Sequence, residues 1–328
     1  MKVSFEQLKQ QLEQVLVKLQ FREDKAALCA RIFAENSRDG VASHGLNRFP
    51  VFVQSVEEGI IDIHAEPQKV SNNGLIENWD GQLAPGMYTA TLAMQRAIEL
   101  AKEQGIGCVT VKNTNHWMRG GTYGWMAADA QTIGICTTNT IANMPAWGGI
   151  EPRLGNNPMV IAIPRTGGQH IVLDMAMSQF SYGKLQEYEL NKKLLPVAGG
   201  YDSNGILTTD ASAIYLSKRT LPVGFWKGSG LSMVLDVLVT SLSGGRSVAA
   251  ISENGKEYGL SQFFLCLNAD HISESAIDEI ISYTKSHAAS SLMNEIRYPG
   301  ESTYAIRQRS LTEGVEVNDT IWQQILDM

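Results

Sequence analysis

From about residue 75 to residue 267 the chain alternates helical periodicity with short runs of buried-strand character, and few architectures accommodate that alternation. Residues 88–103 carry apolar side chains at helical spacing, and 106–111 (Ile-Gly-Cys-Val-Thr-Val) follow as a short buried strand. Another helix is predicted at 122–130, then strands at 133–137, 159–163, 170–173 and 262–267, with a helix at 231–242 before the last. Helices and strands that alternate in this way build an α/β layer fold.

The flanks read differently. Ser4 and Gln7 fit a capping box, and Phe5, Leu8, Leu12, Val15, Leu16 and Leu19 then mark an amphipathic helix. A second helix is predicted at 23–34, ended by Gly40, and 60–68 looks irregular, so the first ~70 residues form a small helical unit. Beyond 276 the texture is again helical, with helices at 277–287 and 319–326.

Composition narrows the function. At 328 residues, 44% hydrophobic and 19% charged, the chain can bury a large core, and its net charge of -7 without a basic run opposes nucleic-acid binding. Cys29, Cys108, Cys136 and Cys266 show no CxxC or zinc spacing and read as reduced core thiols. The N-terminus lacks the apolar core of a signal peptide, and the 231–242 run is interrupted by Ser232, Asp236, Thr240 and Ser241. The expectation is a cytoplasmic protein with no membrane span.

Of the six histidines, none pairs with another at i, i+4 or with a carboxylate in an HExxH pattern, so no metal site is expected. His44 lies in Ser43-His44-Gly45-Leu46-Asn47-Arg48, and His116 in Asn115-His116-Trp117-Met118-Arg119. If the chain after Gly45 is helical, His44 and Arg48 address the same space, one offering a proton and the other a fork for a carboxylate. That pair suits a 2-oxo acid, whose reduction needs a hydride on carbon and a proton on oxygen. The same residues also read as a capping histidine and a surface ion-pair arginine, and His116 as a loop histidine packed on Trp117. Asp174 ends a predicted strand, where it is either a partner for a histidine or a turn residue. The GxGxxG fingerprint of dinucleotide sites is absent; Gly228-Ser229-Gly230 with Lys227 offers either a phosphate-binding helix N-terminus or a capped buried helix.

Together, Ser43-His44-Gly45-Leu46-Asn47-Arg48-Phe49-Pro50, Asn115-His116-Trp117-Met118-Arg119-Gly120, Gly155-Asn156-Asn157-Pro158, Asp174-Met175-Ala176-Met177-Ser178 and Lys227-Gly228-Ser229-Gly230-Leu231 resemble, nearly end to end, the malate/L-lactate dehydrogenase family of the non-Rossmann type. The resemblance implies a three-layer α/β/α nucleotide-binding domain with a mixed sheet at 73–275, beside a helical domain from 1–72 joined by 276–328. It implies His44 as proton donor, with His116 and Asp174 in the same catalytic cleft, and Ser43 and Arg48 on the substrate. Cofactor contacts would come from His170, Ile171, Val172, Leu173, Asp174, Met175 and Ala176, from Trp226 and Lys227, and from Gly300, Glu301 and Ser302. NADH is the implied cofactor, NADPH the alternative, and the implied assembly a homodimer. The phrases at 43–50, 116–121, 180–183 and 225–230 resemble members that act on sugar-derived diketo acids in ascorbate and sugar-acid catabolism; malate, lactate and ureidoglycolate are the competing substrates. The turn at 165–170 is longer than the family pattern, and positions 140–145 vary with substrate in the family. A non-catalytic carboxylate binder is the alternative of another class.

Overall fold

The computed structural model describes residues 1–253, 255–287 and 295–328; residues 288–294, part of the C-terminal segment assigned above to the helical domain, lie outside the described residues. Two helices open the chain, α1 (Phe5–Lys18) and α2 (Glu23–Arg38). Ser4 caps α1 as expected, its Oγ accepting from Gln7 N at 3.1 Å, and Leu8, Leu12, Val15 and Leu16 form the buried stripe. After α3 (Phe49–Glu57) come α4 (Gly86–Gln104), α5 (Gly120–Asp129), α6 (Tyr182–Leu190), α7 (Ala211–Ser217), α8 (Trp226–Ser243), α9 (Val248–Glu253), α10 (Glu274–Lys285), α11 (Glu301–Glu313) and α12 (Asp319–Leu326).

Seven strands form the main sheet: β1 (Gln68–Asn73), β2 (Ile76–Asp80), β3 (Ile106–Thr114), β4 (Thr132–Thr138), β5 (Met159–Ile163), β6 (Ile171–Met175) and β7 (Leu260–Asn268). Their order is β1-β2-β3-β7-β4-β5-β6. Only β2 and β3 run parallel, so the sheet is mixed. Side-chain alternation then sets the layers. Val109, Val111, Phe264, Cys266 and Cys136 point to one face and join Ala90, Met94, Ala97, Trp117 and Tyr123 in a core with α4 and α5. Thr110 points to the other face, where its hydroxyl reaches Asn78 Oδ1 and Leu242 O of α8. The result is the α/β/α arrangement implied by the resemblance.

The chain ends meet. Lys2 and Val3 pair antiparallel with Glu316 and Val315, and Val315, Val317, Trp322 and Ile325 share one apolar cluster with Leu8, Phe33, Phe49 and Phe52. Met87, Tyr88 and Met118 enter the same cluster from the α/β part. Helix α10 makes polar contacts with the β5–β6 connection, where Arg165 meets Asp278 at 2.6 Å and Thr166 N donates to Glu274 at 2.7 Å, and with α11 through Lys285 and Glu301.

Helices α6, α7 and α9 were not anticipated, and three further departures from the sequence reading have a local cause. The β1–β2 hairpin was not expected, because all six residues of β1 are exposed and leave no alternation to read. Helix α11 has no apolar stripe, being held through Tyr304, Ile306 and Arg307 individually. The segment after Gly45 is not one continuous helix: 3-10 turns at Ala42–His44 and Leu46–Arg48 are broken at Gly45 before α3 begins.

Candidate active site

The break at Gly45 is enforced by packing. A Cβ there would lie 2.2 Å from Ser37 Oγ and 2.7 Å from Ser37 N, so only glycine lets the turn press onto α2. Ser37 Oγ accepts from Leu46 N at 2.8 Å, and buried Asn36 donates to His44 O at 2.9 Å while accepting from Thr122 of α5 at 2.7 Å. His44 is thus fixed from both layers. Its Nδ1 lies 3.2 Å from Ser43 Oγ, which leaves Nε2 as the free ring nitrogen.

His116 stacks on His44, the ring centroids 5.8 Å apart and the planes inclined by 13°. Met118 N donates to His116 Nδ1 at 3.0 Å, so the neutral ring carries its proton on Nε2. Burial lowers the His44 pKa to about 4; Asp174 opposes this shift, and Arg48 and Arg119 add to it. Burial, Arg48 and His44 likewise hold His116 well below the usual imidazole range. Arg48 therefore acts on both rings, although the helical i, i+4 geometry expected for it is replaced by two short turns.

Asp174 Oδ2 accepts from Gly121 N at 2.9 Å, at the start of α5, and lies 3.6 Å from Arg119 Nε. Arg119 in turn binds Asp39 at 2.9 Å, and Arg307 of α11 binds the same carboxylate through Nε and Nη2 at 2.9 and 2.7 Å. Asp39 is 4% exposed, so this is a polar chain, buried at Asp39 and Arg119, that runs from α11 to Asp174. Sequence reasoning missed Asp39, Arg119 and Asn36, whose partners are distant in sequence.

The segments expected to hold a nicotinamide dinucleotide lie along β6, the edge strand of the sheet. Val172 N donates to Pro299 O, which brings Gly300 against the strand; Gly300 has φ +95°, and a Cβ there would lie 2.9 Å from His170 O. Val223 N donates to Met177 O, bringing the exposed Trp226 and Lys227 at the start of α8 to the opposite end. An open strand edge between two helix N-termini, one with a lysine, fits the phosphates and polar edges of such a cofactor. Ile171, Leu173, Met175 and Ala176 are half-buried along this strip, and Val172 is buried. The ring of His170 is committed inside the protein, accepting from Arg165 N and contacting Asp129 at 2.9 Å each, so only its main chain faces a ligand. Glu301 is held by Lys285 and Tyr298 N, and Ser302 accepts from Arg297.

A cavity of about 260 Å³ opens beside His116, bounded by Arg48, by the face of α3 that carries Gln54, Ser55 and Glu58, and by Lys256 and Glu257 from the loop before β7. His44 borders it through the stack with His116 rather than as a wall residue. Glu257 carried no sequence signal. No group of three His, Cys, Asp or Glu side chains is placed to hold a metal among the described residues.

A mixed-sheet α/β scaffold with stacked imidazoles beside an arginine is that of an oxidoreductase of 2-hydroxy acids. The model of the malate/L-lactate dehydrogenase family matches residues 3–326, and the chain belongs to that family. It is 45% identical to a 2,3-diketo-L-gulonate reductase of Salmonella paratyphi A over 331 aligned residues, 99% of each chain. Among solved structures, malate dehydrogenase from Entamoeba histolytica superposes with a TM-score of 0.93 at 25% identity, covering 100% of this chain and 96% of its own. Malate dehydrogenase from Pyrococcus horikoshii OT3 gives 0.88 at 28% identity, with coverage of 99% and 93%. No helix among the described residues is long and apolar enough to cross a membrane.

Proposed function

We propose that this enzyme reduces the 2-keto group of 2,3-diketo-L-gulonate to 3-dehydro-L-gulonate with NADH, NADPH being the alternative donor. The observation that carries the reading is the parallel His44–His116 pair beside Arg48. The name of the Salmonella relative supports the substrate.

When bound, the nicotinamide supplies a hydride to the 2-keto carbon. Arg48 clamps the neighbouring carboxylate through its planar fork, with Ser43 and the Arg48 charge fixing the acid end. His116, with its proton on Nε2, donates a hydrogen bond to the ketone oxygen and polarises it. His44 delivers the proton from Nε2, so each turnover consumes one hydride and one proton and leaves a secondary alcohol. Asp174 favours the protonated imidazole that this step requires, and the substrate carboxylate offsets the Arg48 charge that opposes it. Along β6, the main chain of His170 to Ala176, the α11 start at Gly300-Glu301-Ser302 and the α8 start at Trp226-Lys227 would hold the dinucleotide.

The outward side of α8 leaves Trp226, Met233, Val234 and Val237 each more than half exposed, the kind of face a second copy covers, and we assign the enzyme as a homodimer through it. On this reading the enzyme serves sugar-acid catabolism in the cytoplasm. Loss of NADH absorbance on adding 2,3-diketo-L-gulonate tests the assignment; absence of turnover with every 2-oxo acid overturns it.

A further inference from the structure

The cavity beside His116 is larger than a short 2-oxo acid requires, and its lining sets charged groups among apolar side chains. Its volume is about 260 Å³. Its two walls are tied together, Lys256 Nζ donating to Glu58 Oε2 at 2.9 Å and Gln54 Nε2 to Glu58 Oε1 at 2.7 Å. Glu58 and Lys256 are therefore committed to each other. Glu257 is not: among the described residues its half-buried carboxyl takes a single hydrogen bond, from Ile141 N at 3.3 Å. That bond also fixes the carboxyl to the 140–145 segment.

We propose that Glu257 is a specificity-determining residue whose carboxyl hydrogen-bonds the hydroxyl groups of the substrate chain beyond the reacting ketone, so that the site takes polyhydroxylated 2-oxo acids in preference to short ones. This rests on the reading of the enzyme as a 2-oxo acid reductase and names the substrate class of the same site. The chemistry is consistent with Arg48 as the carboxylate clamp. Burial pushes the Glu257 carboxyl up, with the Arg48 charge opposing the shift. One carboxyl oxygen stays on Ile141 N, and the other is left for a substrate hydroxyl. A short apolar acid gives it no partner, and a buried polar group left unpaired on binding discriminates against such a ligand.

The test is steady-state NADH oxidation by wild type, Glu257→Gln and Glu257→Leu with 2,3-diketo-L-gulonate and with pyruvate, alongside thermal melting of each variant. Leucine should raise KM for 2,3-diketo-L-gulonate about 10-fold with kcat within ~2-fold, while glutamine, which keeps an acceptor and a donor, should restore KM to within ~3-fold. Pyruvate, if turned over at all, should be insensitive to either change. The proposal is overturned if Glu257→Leu melts like wild type and leaves KM for the diketo acid unchanged, if both substrates suffer equally, or if glutamine fails to rescue. Wild type inactive on every 2-oxo acid would instead strike the underlying reductase reading.

Discussion

The imidazoles of His44 and His116 lie parallel at 5.8 Å, and burial together with the Arg48 charge holds both below the usual imidazole range, His44 adding to the shift of His116. Two adjacent rings under that constraint do not both carry a proton in the resting enzyme. Their roles therefore separate by hydrogen bonding, His116 pinned by Met118 N and His44 free at Nε2. Replacing His44 by Ala should lower kcat ~10²-fold or more with cofactor binding retained, as for a lost general acid. Replacing His116 by Gln, which keeps a donor, should cost less than His44→Gln; the reverse order in kcat would exchange their roles.

The pH dependence has a defined sign. With His44 titrating at about 4 in the folded protein, its protonated fraction falls as pH rises above that value. The kcat/KM for ketone reduction should fall about tenfold per pH unit over the neutral range, while that for alcohol oxidation is flat there. Because the folded pKa lies below the ~6.5 of an unfolded histidine, the unfolded chain takes up the proton first as pH drops. Stability from the neutral ring is thus complete above ~6.5 and lost between ~6.5 and 4. Melting temperatures across that window should decline for wild type and less steeply for His44→Gln; equal slopes would contradict the assignment.

Arg48→Lys should raise KM for the oxo acid several-fold or more with a smaller change in kcat, since lysine keeps the charge and loses the fork. An unchanged KM in initial-rate measurements would place the carboxylate on another residue.

Asp39→Ala removes the carboxylate shared by Arg38, Arg119 and Arg307 and strands buried guanidinium groups. A loss of about 3 to 5 kcal/mol in urea unfolding is expected. A loss below ~1 kcal/mol would show that water replaces the carboxylate.

On the outward face of α8, the double change Met233→Glu and Val237→Lys should convert a dimer into monomer in sedimentation velocity while the chain stays folded. A wild-type chain that is monomeric at micromolar concentration would refute the assembly proposed above.

What the sequence made legible follows from period and proximity. Helices such as α1 and α4 carry their own apolar stripe, and strands such as β5 their own apolar run, so local pattern located them. Strand order was not accessible, because β7 enters between β3 and β4 through contacts distant in sequence. At the site, the segments around His44 and His116 were visible as polar clusters and Asp174 as a carboxylate ending a strand; the fold stacks the two rings and sets the Asp174 charge to act on His44. The 3-10 turns were not, since Gly45 is dictated by Ser37 on the preceding helix. Nor was the fate of the His170 ring, which is set by Arg165 and Asp129. Glu257 looked like any loop carboxylate, and only the cavity wall distinguishes it.

The antiparallel pairing of Lys2 and Val3 with Glu316 and Val315 imposes an order of events on synthesis. Helices α1 and α2 leave the ribosome long before Val315, Trp322 and Ile325, which complete the cluster that covers their apolar stripes. The α1–α2 segment must wait, its hydrophobic face uncovered, until residues 315–325 have been translated. Nascent chains stalled before residue 315 should therefore depend on chaperones far more than the finished enzyme does.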